Sequence, residues 1–153
     1  MSATLDEILA AGGGFLAAVL WFDLMFDVQA LRAPRGAPVP EPALASIAAY
    51  YRRVTTEASP MGRLVGLVMG ATIVASLFDC ATGAAPFVAR LASLVLLVAP
   101  VALAARRVLP HATRLGARTD TIEEQSRLAR AIARDHLACL ASIVAFLVLR
   151  LAV

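Results

Sequence analysis

The chain has 153 residues, of which 60% are hydrophobic and only 16% are charged, and its mean hydropathy is +0.79. A soluble domain carries about a quarter charged residues, so this composition excludes an ordinary soluble protein, and the length leaves no room for a second domain. The formal net charge is +3 and every basic residue is an arginine, but the arginines flank apolar segments, so we expect no nucleic-acid binding.

Four apolar segments predict the fold class. They cover residues 8–28, 60–78, 87–108 and 131–153. Each approaches the roughly 20 residues that an α-helix needs to cross a bilayer. We therefore predict an all-α integral membrane protein, built as one four-helix bundle over residues 1–153.

The first span carries acidic residues near both of its ends. Asp6 and Glu7 fit the first turn of a helix capped by Thr4, and this acidic start argues against a cleavable signal peptide. Asp23 and Asp27 lie one turn apart near the other end. A carboxylate inside a membrane is costly unless it has a partner, so these two residues predict a polar site.

Candidate partners for these two carboxylates approach from the same side of the membrane. The predicted pocket combines the acids with nearby cations: Asp23, Asp27, Arg52, Arg53, Asp135 and His136. Arg63, Arg107 and Arg134 are further candidate partners. One interpretation is a structural ion pair at the headgroup boundary, and the other is a pocket for a proton, an ion or a substrate headgroup.

The segment between the first two spans predicts a surface helix. Residues 33–42 are rich in proline and must be irregular. Residues 43–57 then repeat apolar side chains at helical spacing, which indicates an amphipathic helix. We expect it on the cytoplasmic surface, with Tyr50 and Tyr51 at the level of the headgroups.

The second span carries two stripes. Glycines repeat every fourth residue at Gly62, Gly66 and Gly70, a pattern that lets another helix approach closely. The sequence leaves open whether that helix belongs to the same chain or to another subunit. A polar stripe runs along another face toward the opposite end of the span: Thr72, Ser76 and Asp79. It indicates hydrogen bonds between helices or, alternatively, the lining of a permeation path.

The third and fourth spans differ in regularity. Pro100 should kink the third helix, and Pro110 should end it. The fourth helix should begin at the capping box of residues 121–124 and continue without glycine or proline to residue 153. Residues 121–131 would then project from the membrane as a cytoplasmic extension.

The distribution of arginine predicts the topology. Most arginines lie in the connections between spans 1 and 2 and between spans 3 and 4, whereas only Arg90 and Arg150 lie toward the other side. The positive-inside rule makes the arginine-rich side cytoplasmic. We therefore predict a multi-pass protein of the bacterial inner membrane with both termini on the non-cytoplasmic side.

No cofactor is predicted. A metal ion is a less favoured alternative, because carboxylates and imidazoles form a possible ligand set but lack a Glu-x-x-His spacing. The candidate ligands are His111, His136, Asp23 and Asp27. Cys80 and Cys139 lie too far apart along their helices for a disulfide and are expected to be buried thiols.

The layout resembles the anthrone-oxygenase-like family of small four-span bacterial membrane proteins. The resemblance rests on the length, the surface helix between spans 1 and 2, and the polar run into span 4. That family carries Trp and Asn at the start of its last span, whereas residues 131–137 contain neither. The resemblance implies a fold, and no functional residue is transferred.

Three hypotheses for function remain open. The sequence contains no nucleophile elbow, P-loop, dinucleotide-binding turn or CxxC motif, which favours a non-enzymatic accessory or scaffold subunit that associates with itself or with a larger membrane complex. Alternatively, the Asp/His pocket, together with the shared helix face of Asp135, Cys139 and Ser142, serves a membrane enzyme with a lipophilic substrate. The third hypothesis is an oligomeric ion or proton pathway.

Overall fold

The computed structural model describes residues 2–34, 36–57 and 59–152. The chain is 90% helical, and no strand occurs in these ranges. Its helices are α1 (Ser2–Arg32), α2 (Glu41–Arg52), α3 (Ser59–Thr82), α4 (Phe87–Leu103), α5 (Leu109–Ala117) and α6 (Ile122–Ala152). Two π-helical turns, Arg53–Glu57 and Ala104–Val108, follow α2 and α4.

Four helices are long and apolar enough to cross a membrane: Thr4–Arg32, Pro60–Thr82, Phe87–Ala117 and Ile122–Ala152. The third of them combines α4, a π-helical turn and α5 in one continuous helix. The all-α class and the presence of four helices of spanning length are therefore confirmed.

The four long helices form a closed ring. α6 packs against α1 and α4, and α3 packs against the same two helices on the other side. The contact between α1 and α3 depends on Gly12, because a Cβ at this position would overlap Thr72 Oγ1. At Gly13 a Cβ would come within 2.7 Å of Leu147 on α6. The glycines of α1 thus set the close approach of helices inside the chain.

The short helix α2 packs onto one end of this ring, chiefly against α5 and also against α1 and α6. Leu44, Ile47 and Tyr51 of α2 are buried there together with Leu115 and Ile132. The preceding loop is fixed to α6 as well, since Val39 N–H donates a hydrogen bond to Ser126 Oγ (2.9 Å). Tyr51 is therefore only 2% exposed, and its side chain faces the protein interior.

Two helix boundaries differ from the sequence predictions. α1 begins at Ser2, so Thr4 lies inside the helix and is not its cap. The third spanning helix does not end at Pro110 but continues to Ala117, where Arg118 adopts the left-handed conformation (φ 56°). The π-helical turn just before Pro110 widens the helix, so the proline ring and its missing N–H are accommodated without a break.

Pro100 lies inside α4, and its missing N–H leaves the carbonyl of Leu96 without its usual helical donor. Ser142 of α6 supplies the replacement, because its hydroxyl donates to Leu96 O at 2.7 Å. At the start of α6, Thr121 Oγ1 accepts the backbone N–H of Glu124 (3.3 Å), which is one half of the predicted capping box. α6 then runs unbroken to Ala152.

Candidate functional site

A polar cluster lies where α1, α2 and α6 meet, and it consists of Asp23, Asp27, Tyr50, Tyr51 and His136. The four-residue spacing of the two aspartates places both carboxylates on one face of α1. The two tyrosines approach from α2, and the imidazole enters between the carboxylates from α6.

Asp27 is the buried member of the polar cluster, with no solvent exposure. Its carboxylate accepts a hydrogen bond from Tyr51 Oη at 2.6 Å and lies 2.6 Å from His136 Nδ1. Because a carboxylate only accepts hydrogen bonds, Nδ1 of the ring carries the donated hydrogen. Both carboxylate oxygens are thus paired within the protein.

Asp23 forms the open edge of the polar cluster, with its side chain 16% exposed. It accepts a hydrogen bond from Tyr50 Oη at 2.5 Å, and His136 Nε2 lies 3.8 Å from its other oxygen. The Tyr50 ring stacks on Phe26 with centroids 4.1 Å apart and planes 7° from parallel. This stacking fixes the direction in which the phenol donates.

The phenols remain neutral donors. Burial raises the pKa of both Tyr50 and Tyr51, and the neighbouring carboxylates raise it further. Within the polar cluster, the imidazole of His136 is therefore the one group that can carry a positive charge, and both carboxylates lie next to it. This arrangement fastens α2 to α1 and α6, and it places the imidazole next to both carboxylates.

The structure brings together three of the six residues in the predicted pocket. Asp23, Asp27 and His136 meet, but Arg52 and Arg53 are exposed, and Arg52 Nε pairs with Glu57 at 3.3 Å. Asp135 is turned toward the π-helical turn after α4, where Arg107 Nε lies 3.2 Å from its carboxylate. The tyrosine hydroxyl groups of α2 thus bind the two carboxylates of α1, where the sequence predicted arginines.

Sequence reasoning missed the two tyrosines of the polar cluster. The frequency of Tyr at membrane interfaces predicts the headgroup region for them, but it does not predict their hydrogen-bond partners. The sequence nevertheless contains a signal. Tyr50 and Tyr51 are adjacent and follow the apolar segment that carries Asp23 and Asp27, so their two hydroxyl groups are available as hydrogen-bond donors to these two carboxylates.

The four candidate metal ligands do not form a metal site. His136 lies beside Asp23 and Asp27, whereas His111 is on α5 and has no contact with them in the described part of the chain. Among all described residues, no group of three or more His, Cys, Asp or Glu side chains has the geometry to hold a metal ion. Cys80 and Cys139 are both free thiols.

The face of α6 with Asp135, Cys139 and Ser142 packs against α4. Cys139 Sγ lies 3.6 Å from Pro100 O, and Ser142 bonds Leu96 O. These three residues therefore contact the kinked part of α4 and its π-helical turn.

The polar stripe of α3 is buried inside the ring. Thr72 and Ser76 are each 1% exposed, and Thr72 Oγ1 donates to Val68 O of its own helix at 2.7 Å. Asp79 pairs with Arg150 of α6 at 2.7 Å, and Arg150 also pairs with Asp6 of α1. We call Asp6, Asp79 and Arg150 the end clamp, because they join three helices at the end opposite α2.

The glycine stripe of α3 points away from the rest of the chain. No described atom lies within 4 Å of a Cβ built at Gly66 or Gly70, and only Val54 O, at 3.8 Å, approaches Gly62. The helix that this stripe would contact is therefore not supplied by the described part of the same chain.

A cleft of about 440 Å³ opens at the α2 end of the molecule, lined by Leu31, Ala33, Gly36, Arg130 and Arg134. It lies between the end of α1, the proline-rich loop and α6. Comparison of the chain with protein-family models, curated proteins and solved structures gives no match.

Proposed function

We propose that this chain is a multi-pass protein of the bacterial inner membrane that acts as a self-associating scaffold or accessory subunit. The observation that carries this proposal is the outward position of the glycine stripe on α3. Three glycines at helical spacing form a flat strip on which another helix can pack closely, and the space above Gly66 and Gly70 is empty in the single chain.

The interior of the bundle supports the same proposal. Within the chain, the two carboxylates of the polar cluster pair with the tyrosines of α2 and with His136. Asp79 pairs with Arg150. Polar groups that satisfy one another hold helices together. Of the carboxylates in the polar cluster, only Asp23 keeps a partly exposed edge.

The distance between the end clamp and the polar cluster also fits the thickness of a bilayer. From Asp6 of the end clamp to Asp27 of the polar cluster, α1 rises about 31 Å at about 1.5 Å per residue, close to the roughly 30 Å of a hydrocarbon core. With the arginine-rich end in the cytoplasm, both termini lie outside and α2 lies at the cytoplasmic surface.

The test is the oligomeric state of Gly66→Leu and Gly70→Leu, measured by native mass spectrometry after gentle extraction. Because no described atom lies near either Cβ, neither substitution should disturb the single chain. We expect the helical content of the single chain to stay unchanged while the oligomer or the complex dissociates.

Ala71→Leu is the matched control, since Ala71 is an exposed residue of α3 next to Gly70 but about 100° away around the helix. It adds similar bulk to another outer face and should leave assembly intact. A protein that is monomeric and free of partners before any substitution contradicts the proposal, as does equal dissociation by all three variants.

A membrane enzyme acting on a lipophilic substrate is the second candidate, and one observation favours it. Asp23, Asp27 and His136 lie together with two phenols, and carboxylates next to an imidazole are a frequent acid–base arrangement. Asp23→Asn with an intact oligomer but a lost reaction on membrane lipids or quinone-like molecules would establish this function in place of the scaffold.

A further inference from the structure

We propose that the cleft between α1, the proline-rich loop and α6 binds the phosphate group of an anionic membrane lipid. The proposal rests on the membrane insertion described above, but it does not depend on self-association. The cleft is defined by the five residues that line it, Leu31, Ala33, Gly36, Arg130 and Arg134.

Two arginines give the cleft its charge. Arg130 and Arg134 are one turn apart on α6 and therefore project from the same face. No carboxylate lines the cleft among the described residues. Arginine is well suited to phosphate because its planar group offers several N–H donors in a fixed arrangement.

Arg130 is held in position by the loop. Its Nη2 donates to the carbonyl oxygens of Ala37 (2.7 Å) and Pro34 (3.1 Å). These acceptors are neutral, so they orient the guanidinium without cancelling its charge. Arg134 is exposed and forms no hydrogen bond or ion pair with the residues that the structure describes, which leaves its donors available to a ligand.

The level of the cleft relative to the proposed membrane favours a lipid as the source of the phosphate. Measured along α6, Arg134 lies about 3 Å and Arg130 about 9 Å beyond His136, at about 1.5 Å per residue. His136 belongs to the polar cluster, which marks the cytoplasmic edge of the hydrocarbon core in the proposed orientation. The cleft is therefore at headgroup level, and basic pockets between helices on this side suit anionic headgroups.

Leu31 provides the remaining element of a lipid site. It is 39% exposed and forms an apolar wall of the cleft, against which the first carbons of an acyl chain can pack. A soluble phosphate ion would gain nothing from that wall, whereas a phospholipid contacts both the charged and the apolar side.

The experiment is native mass spectrometry of the protein in detergent with phosphatidylglycerol or phosphatidylcholine of identical acyl chains. We expect preferential retention of the anionic lipid, and a loss of about fivefold in that preference for Arg134→Gln, since one arginine near an anionic headgroup contributes about 1 kcal/mol. Each oligomeric species is analysed separately, so a failure of the scaffold proposal does not affect this result.

Arg106→Gln is the control, because Arg106 is also exposed and lies at the same end of the bundle, on the π-helical turn after α4. Unchanged retention in this variant shows that the effect belongs to the cleft and not to net charge. Equal retention of the two lipids overturns the proposal, as does an equal loss in both variants. Displacement of the anionic lipid by excess inorganic phosphate would instead assign the site to a soluble anion and overturn the lipid source.

Discussion

His136 is the one described side chain that approaches both carboxylates of the polar cluster. Its ring is 4% exposed and reaches Asp27 through Nδ1 and Asp23 through Nε2. Since Asp27 has no access to solvent, the imidazole and the Tyr51 hydroxyl together replace its hydration shell. A buried acid that loses such a partner is left as an uncompensated charge.

His136→Ala should therefore lower the free energy of unfolding by about 3–5 kcal/mol, the usual cost of removing one partner from a buried pair. Unfolding in detergent followed by circular dichroism measures this change. Adding Asp27→Asn should restore part of the loss, because the unpaired charge is then gone.

The sequence offers a matched control for this substitution. His111, the only other histidine, lies on α5 away from the polar cluster, and His111→Ala should change stability by no more than about 0.5 kcal/mol. Equal destabilisation by the two substitutions would show that the contacts of His136 do not stabilise the fold.

The two phenols of the polar cluster allow a direct titration, because Tyr50 and Tyr51 are the only tyrosines in the chain. Burial and then the aspartates raise the pKa of both above the ordinary value of 10.0. The unfolded chain releases these protons above pH about 10, whereas the folded chain keeps them. Their contribution to stability is therefore complete below that pH and is lost as the pH rises above it.

Phenolate absorbance should thus stay absent from the folded protein at a pH where the denatured chain already shows it. The fall in unfolding free energy above pH about 10 should disappear when both tyrosines are replaced by phenylalanine. A folded protein whose phenols ionise at the ordinary pKa would be incompatible with the described hydrogen bonds.

The membership of the polar cluster was only partly predictable. The cost of acids in a membrane indicated Asp23 and Asp27, and nearness in the chain topology indicated His136. The exclusion of Arg52 and Arg53 and the inclusion of the tyrosines depend on the rotation of α2 about its own axis. A helical repeat shows which residues share a face, but it does not show which neighbouring element that face meets.

Among the helices, α4 depends on α6 in an unusual way. Pro100 removes a backbone donor inside α4, and Ser142 of α6 supplies another one to the Leu96 carbonyl. The hydrogen bond that would normally belong to one helix has thus become a contact between two helices.

A double-mutant cycle tests this exchange. Ser142→Ala alone should cost about 1–3 kcal/mol, because it leaves the Leu96 carbonyl without a donor. In a Pro100→Ala background the backbone N–H of residue 100 can bond Leu96 O within the helix, so the same substitution should cost much less. Thermal unfolding of the four proteins gives the coupling energy.

Ser93 provides the control for this cycle, since it is a buried serine of α4 whose hydroxyl has no hydrogen-bond partner among the described residues. Ser93→Ala should have the same effect in both backgrounds, because its hydroxyl makes no hydrogen bond that Pro100→Ala could replace. Additive effects of Ser142→Ala and Pro100→Ala would contradict the proposed replacement of the donor.

The glycines show the limit of prediction at the level of the helices. The number and approximate extent of the long helices follow from apolar length alone. However, glycine spacing predicts close approach at Gly62, Gly66 and Gly70, whereas the close contacts between helices of the described chain occur at Gly12, Gly13 and Gly116. Spacing identifies strips that permit close approach, but the ring order of the helices decides which strip is used within the chain.

At the scale of the whole molecule, charge distinguishes the two ends of the bundle. The α2 end carries most of the arginines, and many of them are exposed. At the other end, Arg150 is enclosed in the end clamp and Arg90 donates to the carbonyl oxygens of Asp79 and Cys80. Most of the exposed arginines thus lie at one end, and this asymmetry is what the positive-inside rule uses to predict an orientation.

We expect cysteine labelling in intact bacterial cells to report this orientation. In a variant without Cys80 and Cys139, Ala84→Cys in the exposed α3–α4 connection should react with a membrane-impermeant maleimide. Thr119→Cys in the exposed α5–α6 connection should react only after the inner membrane is opened. The reverse pattern would show that the arginine-rich end faces outward.

The central place of α6 has a consequence for biosynthesis. α6 is the last of the described helices to leave the ribosome, yet it supplies His136 to Asp27 and Arg150 to Asp79. Until α6 is made, Asp27 and Asp79 lack these cationic partners, and under the proposed membrane insertion such unpaired carboxylates are costly in lipid. Closure of the bundle therefore waits for the synthesis of α6, and a chain truncated before α6 is left with unpaired acids that distinguish it from the closed bundle.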